Sequence, residues 1–127
     1  MAKALAVHAS SICIVDDDGA VRESLRVLLE RQGWKVFCYP NAEIFLSRAS
    51  LGDCGCLVLD QVLPGLTGLQ VLQILREKRL LIPTIVLTGD SDPLLPVKAT
   101  IAGALAVLDK PVPSGVLLAE IRQALIA

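Results

Sequence analysis

The sequence predicts an α/β fold: a doubly wound, five-stranded parallel sheet with five helices. Three observations carry that expectation. Short apolar runs, too brief for helices, recur along the chain. Segments with apolar residues spaced for one helical face separate them. Most of the runs end abruptly on a polar side chain, at Asp16, Asp60, Thr88 and, past the last run, Lys110. Strands alternating with helices imply parallel neighbours joined by right-handed crossovers. In such a sheet every strand's C-terminal end lies on one rim, which is where ligands and chemistry collect.

The elements follow in order. Ser11-Ile12-Cys13-Ile14-Val15 reads as a strand ending on Asp16, Asp17 and Asp18. Asp18 can cap a helix that has Val21, Leu25, Leu28 and Leu29 on one face and stops at Gly33. Lys35-Val36-Phe37-Cys38-Tyr39 alternates and carries a lysine, which suits an edge strand. Pro40-Asn41 opens a second helix with Ala42, Phe45, Leu46 and Ala49 as its buried stripe. A loop from Ser50 to Cys54 then leads into Cys56-Leu57-Val58-Leu59-Asp60, a strand apolar enough to be buried on both faces.

Beyond the loop Gln61-Val62-Leu63-Pro64-Gly65, Thr67 can cap a third helix running to about Lys78. The charges at Arg76, Glu77, Lys78 and Arg79 lie at its C-terminal, dipole-negative end. Thr84-Ile85-Val86-Leu87 is a fourth strand, ending at Thr88 and Gly89. Asp92 with Pro93 starts a fourth helix, Pro96 falls in its first turn, and Gly103 ends it. Leu105-Ala106-Val107-Leu108 is the fifth strand, ending at Asp109-Lys110-Pro111. Ser114 caps a last helix with Leu117, Ile121, Ala124 and Leu125 on one side.

A chain of 127 residues, 54% hydrophobic, has material for one core and one domain. We expect residues 1–10 to form an N-terminal tail and 11–127 the domain. No run approaches the roughly 18 apolar residues of a membrane span, and the first residues make no convincing signal peptide. The expectation is a soluble, cytoplasmic protein with no membrane partner. A net charge of -1 and a pI near 5.7 give no basic footprint for nucleic acid, so DNA contact would need an output domain not in this chain. Cys13, Cys38, Cys54 and Cys56 lack paired zinc spacing and read as small hydrophobes. The one histidine, His8, has no neighbouring ligand or nucleophile and receives no role.

Taken singly, an Asp at a strand end is a turn former, Thr88 a loop hydroxyl and Lys110 a surface charge. Their occurrence at successive strand ends changes that reading. Carboxylates gathered on one rim repel unless a cation sits between them. Oxygen ligands from carboxylates, a main-chain carbonyl and water suit magnesium. A carboxylate beside that ion can act as a nucleophile toward a phosphoryl group, with Lys110 as a second cation and Thr88 as a hydroxyl donor.

The set Ile14-Val15-Asp16-Asp17-Asp18, Leu57-Val58-Leu59-Asp60 with Pro64-Gly65 and Gly68, Ile85-Val86-Leu87-Thr88-Gly89, and Gly103-Ala104 followed by Asp109-Lys110-Pro111 resembles the receiver domain of two-component response regulators. The resemblance covers Ser11 to about Ile126. It implies a flavodoxin-like fold with strand order 2-1-3-4-5. It also implies a phosphoprotein in phosphorelay signal transduction: Asp60 is the phosphoacceptor, a sensor histidine kinase the donor and Mg2+ the cofactor. Asp17, Asp60 and the Val62 backbone carbonyl would bind the ion, Asp16 would assist through water, and Thr88 and Lys110 would hold the phosphoryl oxygens. Such a domain is not an enzyme, although it assists its own phosphorylation and dephosphorylation.

Val21-Arg22-Glu23-Ser24-Leu25, Phe45-Leu46 and Leu87-Thr88-Gly89 look closest to receivers preceding LuxR-type helix-turn-helix output domains, which implies transcription regulation. A homodimer through helix 4, strand 5 and helix 5 is expected by the same resemblance. One departure concerns the switch: family members usually carry Tyr or Phe three positions before the lysine, and here that position is Val107. A β-branched side chain has no ring to swing and few rotamers. The expectation is that site chemistry survives while the coupling of Thr88 to the output face is weakened. A phosphorylation-independent docking module is the alternative reading. An aspartyl phosphatase of the haloacid-dehalogenase type fits less well, because Val62 stands where its second Asp is needed, and no nucleotide-binding glycine motif is present.

Overall fold

The computed structural model describes residues 11–89 and 92–126; the N-terminal tail, His8 within it, and Ala127 lie outside them. Five strands alternate with five helices: β1 (Ser11–Val15), α1 (Gly19–Glu30), β2 (Lys35–Tyr39), α2 (Ala42–Arg48), β3 (Cys56–Asp60), α3 (Gly68–Glu77), β4 (Thr84–Thr88), α4 (Leu95–Ile101), β5 (Ala106–Asp109) and α5 (Ser114–Ile126). The sheet is wholly parallel, in the order β2-β1-β3-β4-β5. The loop expected between Ser50 and Cys54 contains a short 3-10 turn, Leu51–Asp53.

The strands take these places because of their side chains. β3 and β4 are buried at every position, as runs with no polar face must be. β2, which alternates and carries Lys35, is an edge. One sheet face, with Cys13, Val15, Leu59 and Val86, packs on Phe45 of α2, Leu72 of α3 and Ala99 of α4. The other, with Ile12, Ile14, Val58 and Ile85, packs on Leu29 of α1 and Leu117 and Ile121 of α5. Full burial of each Leu or Ile contributes about 2 kcal/mol, so the two layers share the load.

Helix starts show what the sequence controls and what it does not. Asp18 caps α1, accepting from Ala20 N and Val21 N. Asn41 caps α2, accepting from Ile44 N at 2.8 Å. Thr67 and Gln70 form a reciprocal capping box on α3. Two expected starts are corrected. α4 begins at Leu95, because the Asp92 carboxylate accepts from Leu94 N, two residues on, and makes a turn ahead of the helix. α5 begins at Ser114 itself, since the Pro113 carbonyl already receives Val116 N and Leu117 N. Ser114 therefore stands inside the first turn.

Helix ends are instructive too. After α4, Gly103 takes φ 108° while Ala104 N returns to the Ala99 carbonyl at 2.8 Å, a Schellman closure. After α3 the equivalent closure, Leu80 N to the Leu75 carbonyl at 2.9 Å, is built on Arg79 at φ 59°. A side chain in that region costs about 1–2 kcal/mol. Arg79→Gly should therefore raise stability by about 1 kcal/mol, read as a higher urea midpoint at an unchanged slope. A lower midpoint would show that the Arg79 side chain holds more than its backbone loses.

Candidate functional site

The parallel sheet gathers its C-terminal strand ends, and the residues there divide the work. Of the three consecutive aspartates, Asp18 is spent on the α1 cap, and its own N–H donates to Asp16 Oδ1 at 2.9 Å. Asp16 is drawn under the rim, its N–H donating to the Tyr39 carbonyl, which leaves it 2% exposed. Asp17 stays exposed. Asp60, 6% exposed, ends β3 between β1 and β4. Carboxylate oxygens of Asp16, Asp17 and Asp60 lie within 4.8 Å of one another.

Lys110 reaches this cluster from the far side. Its N–H donates to the Thr88 carbonyl at 2.8 Å, continuing the β4–β5 ladder one step past β5. From there its ammonium donates to Asp60 Oδ2 at 3.0 Å and lies 3.7 Å from Asp16 Oδ2. The Lys110–Pro111 peptide bond is cis. Thr88, the last residue of β4, is buried one position past Leu87, the cross-strand partner of Asp60. Val107 pairs with Val86 on β4 and packs, partly buried, on the α2–α4 face of the sheet.

The electrostatics are unbalanced. Three carboxylates meet one ammonium, so the rim has room for further positive charge. Burial pushes the Asp16 carboxyl above its ordinary range; the Asp18 N–H and Lys110 act against this, and Asp60 and Asp17 add to it. Lys110 loses some basicity to burial, yet its hydrogen bond to the Asp60 carboxylate and the charges of Asp60, Asp16 and Asp17 outweigh it and hold it above the usual lysine value. Asp16 Oδ2 is buried and has no hydrogen-bond partner. A buried anionic oxygen without a partner is costly. Hard oxygens around an uncompensated negative charge are the donor set a small divalent cation takes.

The β3–α3 loop shapes the remaining wall. Val62 N donates to Asp60 Oδ1 at 3.3 Å, and the Val62 side chain points into solvent. The loop is tied down by a residue that sequence reasoning passed over, Gln61. Its buried side-chain carbonyl accepts from Leu69 N at 2.9 Å and its backbone carbonyl from Gly68 N at 3.0 Å. The only hint was an amide directly after a buried strand. Arg22, one turn into α1, was also missed; it donates to the Asp16 carbonyl at 2.8 Å. Gly68 is required sterically, since a Cβ there would meet the Asp60 carbonyl oxygen at 2.8 Å and Gln61 Cα at 3.0 Å. Gly68→Ala should cost about 1–3 kcal/mol through overpacking, measured by denaturant unfolding; an unchanged midpoint would mean the loop yields freely.

Comparison with known proteins matches this arrangement. The family model for the response regulator receiver domain matches residues 12–122. The response regulator protein TodT of Pseudomonas putida is 42% identical over 118 residues, 93% of this chain and 52% of TodT. The transcriptional regulatory protein FixJ of Azorhizobium caulinodans is 38% identical over 125 residues, 98% of this chain and 57% of FixJ. The chain thus spans about half the length of the curated relatives it matches. Among solved structures, the response regulator StyR superposes with a TM-score of 0.86 at 37% identity, over 91% of this chain and 59% of that one. A CheY-like receiver from Methanospirillum hungatei gives 0.84 at 29% identity, over 92% and 94%. With the sheet order, the acidic rim and these relatives in agreement, the chain belongs to the response regulator receiver family.

Proposed function

We propose that this chain accepts a phosphoryl group on Asp60 from the phosphohistidine of a sensor histidine kinase. The observation that carries the reading is the contact of Lys110 Nζ with Asp60 Oδ2 at 3.0 Å inside the three-carboxylate cluster. An Asp60 oxygen attacks phosphorus as the P–N bond breaks, and the electron pair leaves with the imidazole. Lys110 already lies on the carboxylate and is placed to follow charge onto the phosphoryl oxygens, with the Thr88 hydroxyl as a further donor. Asp17, Asp60 and the Val62 carbonyl would hold Mg2+, with Asp16 acting through water; the orphaned Asp16 oxygen fits such an ion. When bound, the ion supplies positive charge against the phosphoryl oxygens. The same groups, acting on water, would return the domain to its free state.

Intact-protein mass after incubation with a small phosphodonor tests this. One phosphoryl adduct that requires magnesium supports it; no adduct on folded protein counts against it. The domain is a signalling element, and the output we propose is transcription through another domain, since FixJ is named a transcriptional regulatory protein and this chain's own net charge of -1 suits no DNA. No membrane contact is part of the proposal; no helix among the described residues is long and apolar enough to span a bilayer. A phosphorylation-independent docking module finds no support in the relatives or in the rim.

The output face we propose is α4–β5–α5. Leu95 of α4 is turned into the core, while Leu94, Val97 and Ile101 are exposed at 57%, 57% and 69%. An apolar stripe of that kind suits pairing with a second copy. Gel filtration with a phosphoryl mimic should show a larger species than without it. Because Val107 has no ring to move, the shift should be small, and Val107→Tyr should enlarge it. An unchanged monomer in both proteins would sink the dimer, and equal shifts in both would sink the role given to Val107.

A further inference from the structure

Asp16 is held at three points. Its N–H donates to the Tyr39 carbonyl at 3.2 Å, its Oδ1 accepts from Asp18 N at 2.9 Å, and its own carbonyl oxygen accepts from Arg22 Nη1 at 2.8 Å. The third bond joins the site to a side chain one turn into α1. Asp16 stands past the last residue of β1 and ahead of the helix, and among the described residues no backbone N–H donates to its carbonyl. A main-chain carbonyl drawn under the rim needs a donor, and the Arg22 guanidinium is the one it has.

That bond acts on the next residue. The Asp16 carbonyl shares one rigid plane with Asp17 N and Cα, so holding its oxygen fixes how the Asp17 backbone is turned. On the other side, Asp18 is fixed by its N–H to Asp16 and by its cap on α1. Asp17 between them is exposed, and its carboxylate accepts no hydrogen bond among the described residues. Only the backbone aims it, yet one of its oxygens lies within 4.8 Å of those of Asp16 and Asp60.

Neutralisation of the acidic rim is the competing role for Arg22, and two observations weigh against it. Arg22 makes no ion pair within 4.0 Å among the described residues; the contact it makes is with the carbonyl. It also sits in the first turn of α1, the dipole-positive end, where a cation is disfavoured. The guanidinium folds back over that turn, with Nη2 3.4 Å from where a Cβ on Gly19 would stand.

We propose that Arg22 is a positioning residue for the cation: by holding the Asp16 carbonyl it fixes the peptide that presents the Asp17 carboxylate to magnesium. The proposal rests on the reading of the rim as a magnesium site given above. It also predicts a sign. Loss of a positive charge near the rim would by itself tighten the binding of a cation, whereas loss of the bond that aims a ligand weakens it. Groups that orient metal ligands are commonly worth tenfold or more in affinity.

The test titrates magnesium chloride alone into the whole chain by calorimetry at fixed ionic strength, beside a denaturation curve. Arg22→Met should bind the ion about tenfold more weakly than the native chain. If that variant does not fold, Arg22→Lys, which keeps the charge without the reach of the guanidinium, takes its place with the same expected direction. Unchanged or tighter binding in the folded variant would overturn the proposal. A second arm follows adduct formation from a small phosphodonor: the magnesium concentration for half-maximal rate should rise about tenfold, and the rate at saturating ion should fall less. A fall in that rate with the half-maximal concentration unchanged would also overturn it. Failure of the underlying reading looks different. A native chain that binds magnesium but forms no adduct removes the phosphoacceptor and leaves the first arm to decide on Arg22; a native chain that binds no magnesium removes both.

Discussion

Asp60→Asn is expected to abolish the magnesium-dependent phosphoryl adduct, with a loss on the order of 10⁴-fold or more in adduct formation, as for removal of any attacking group. The amide keeps the shape of the carboxylate but gives up both its charge and its nucleophilic oxygen. The fold should survive, because the change thins a crowd of three carboxylates within 4.8 Å and leaves Lys110 with Asp16 as a partner. Intact mass with the same phosphodonor, beside a denaturation curve, reads both halves. An adduct that persists in folded Asp60→Asn and maps to another side chain would remove Asp60 from the reaction.

Lys110→Met should slow phosphorylation by about 100-fold, the usual loss when one fixed electrostatic donor is taken from a transition state. Methionine keeps much of the aliphatic stem, so the change is chiefly the loss of an ammonium 3.0 Å from Asp60 Oδ2. Stability should also fall. Lys110 has a folded-state pKa raised above its ordinary value, so its stabilising share is fully present below that value and is lost as pH rises through the folded one. At neutral pH the whole share is therefore at stake. With its side chain 34% exposed, solvent screening limits it to about 1 kcal/mol.

Asp16→Asn should act in the opposite sense. Burial raises its carboxyl pKa, so the ionised group at neutral pH is a burden on the fold. Its removal should return about 1 kcal/mol and partly repair Lys110→Met, because the two groups face each other at 3.7 Å. Strictly additive effects would show that this contact is energetically silent.

Much of this was legible in the chain itself. Runs such as Cys56–Asp60 and Thr84–Thr88 have no polar face, so they had to be buried on both sides, while Lys35 marked an edge. Side-chain caps at Asp18, Asn41 and Thr67 are local bonds within three residues, and such bonds can be read from spacing. Strand direction then puts Asp16, Asp60, Thr88 and Lys110 on one rim.

What the sequence alone determined is the order of the elements and the chemistry available at their ends, since period, capping and strand polarity are properties of neighbouring residues. Only the tertiary structure decided the rest. Which of three adjacent aspartates turns inward, the anchoring of the loop by Gln61 on Leu69 N, and the reach of Arg22 to the Asp16 carbonyl are all settled by the packed structure. Distances of that kind depend on how the layers pack, and no periodicity encodes them.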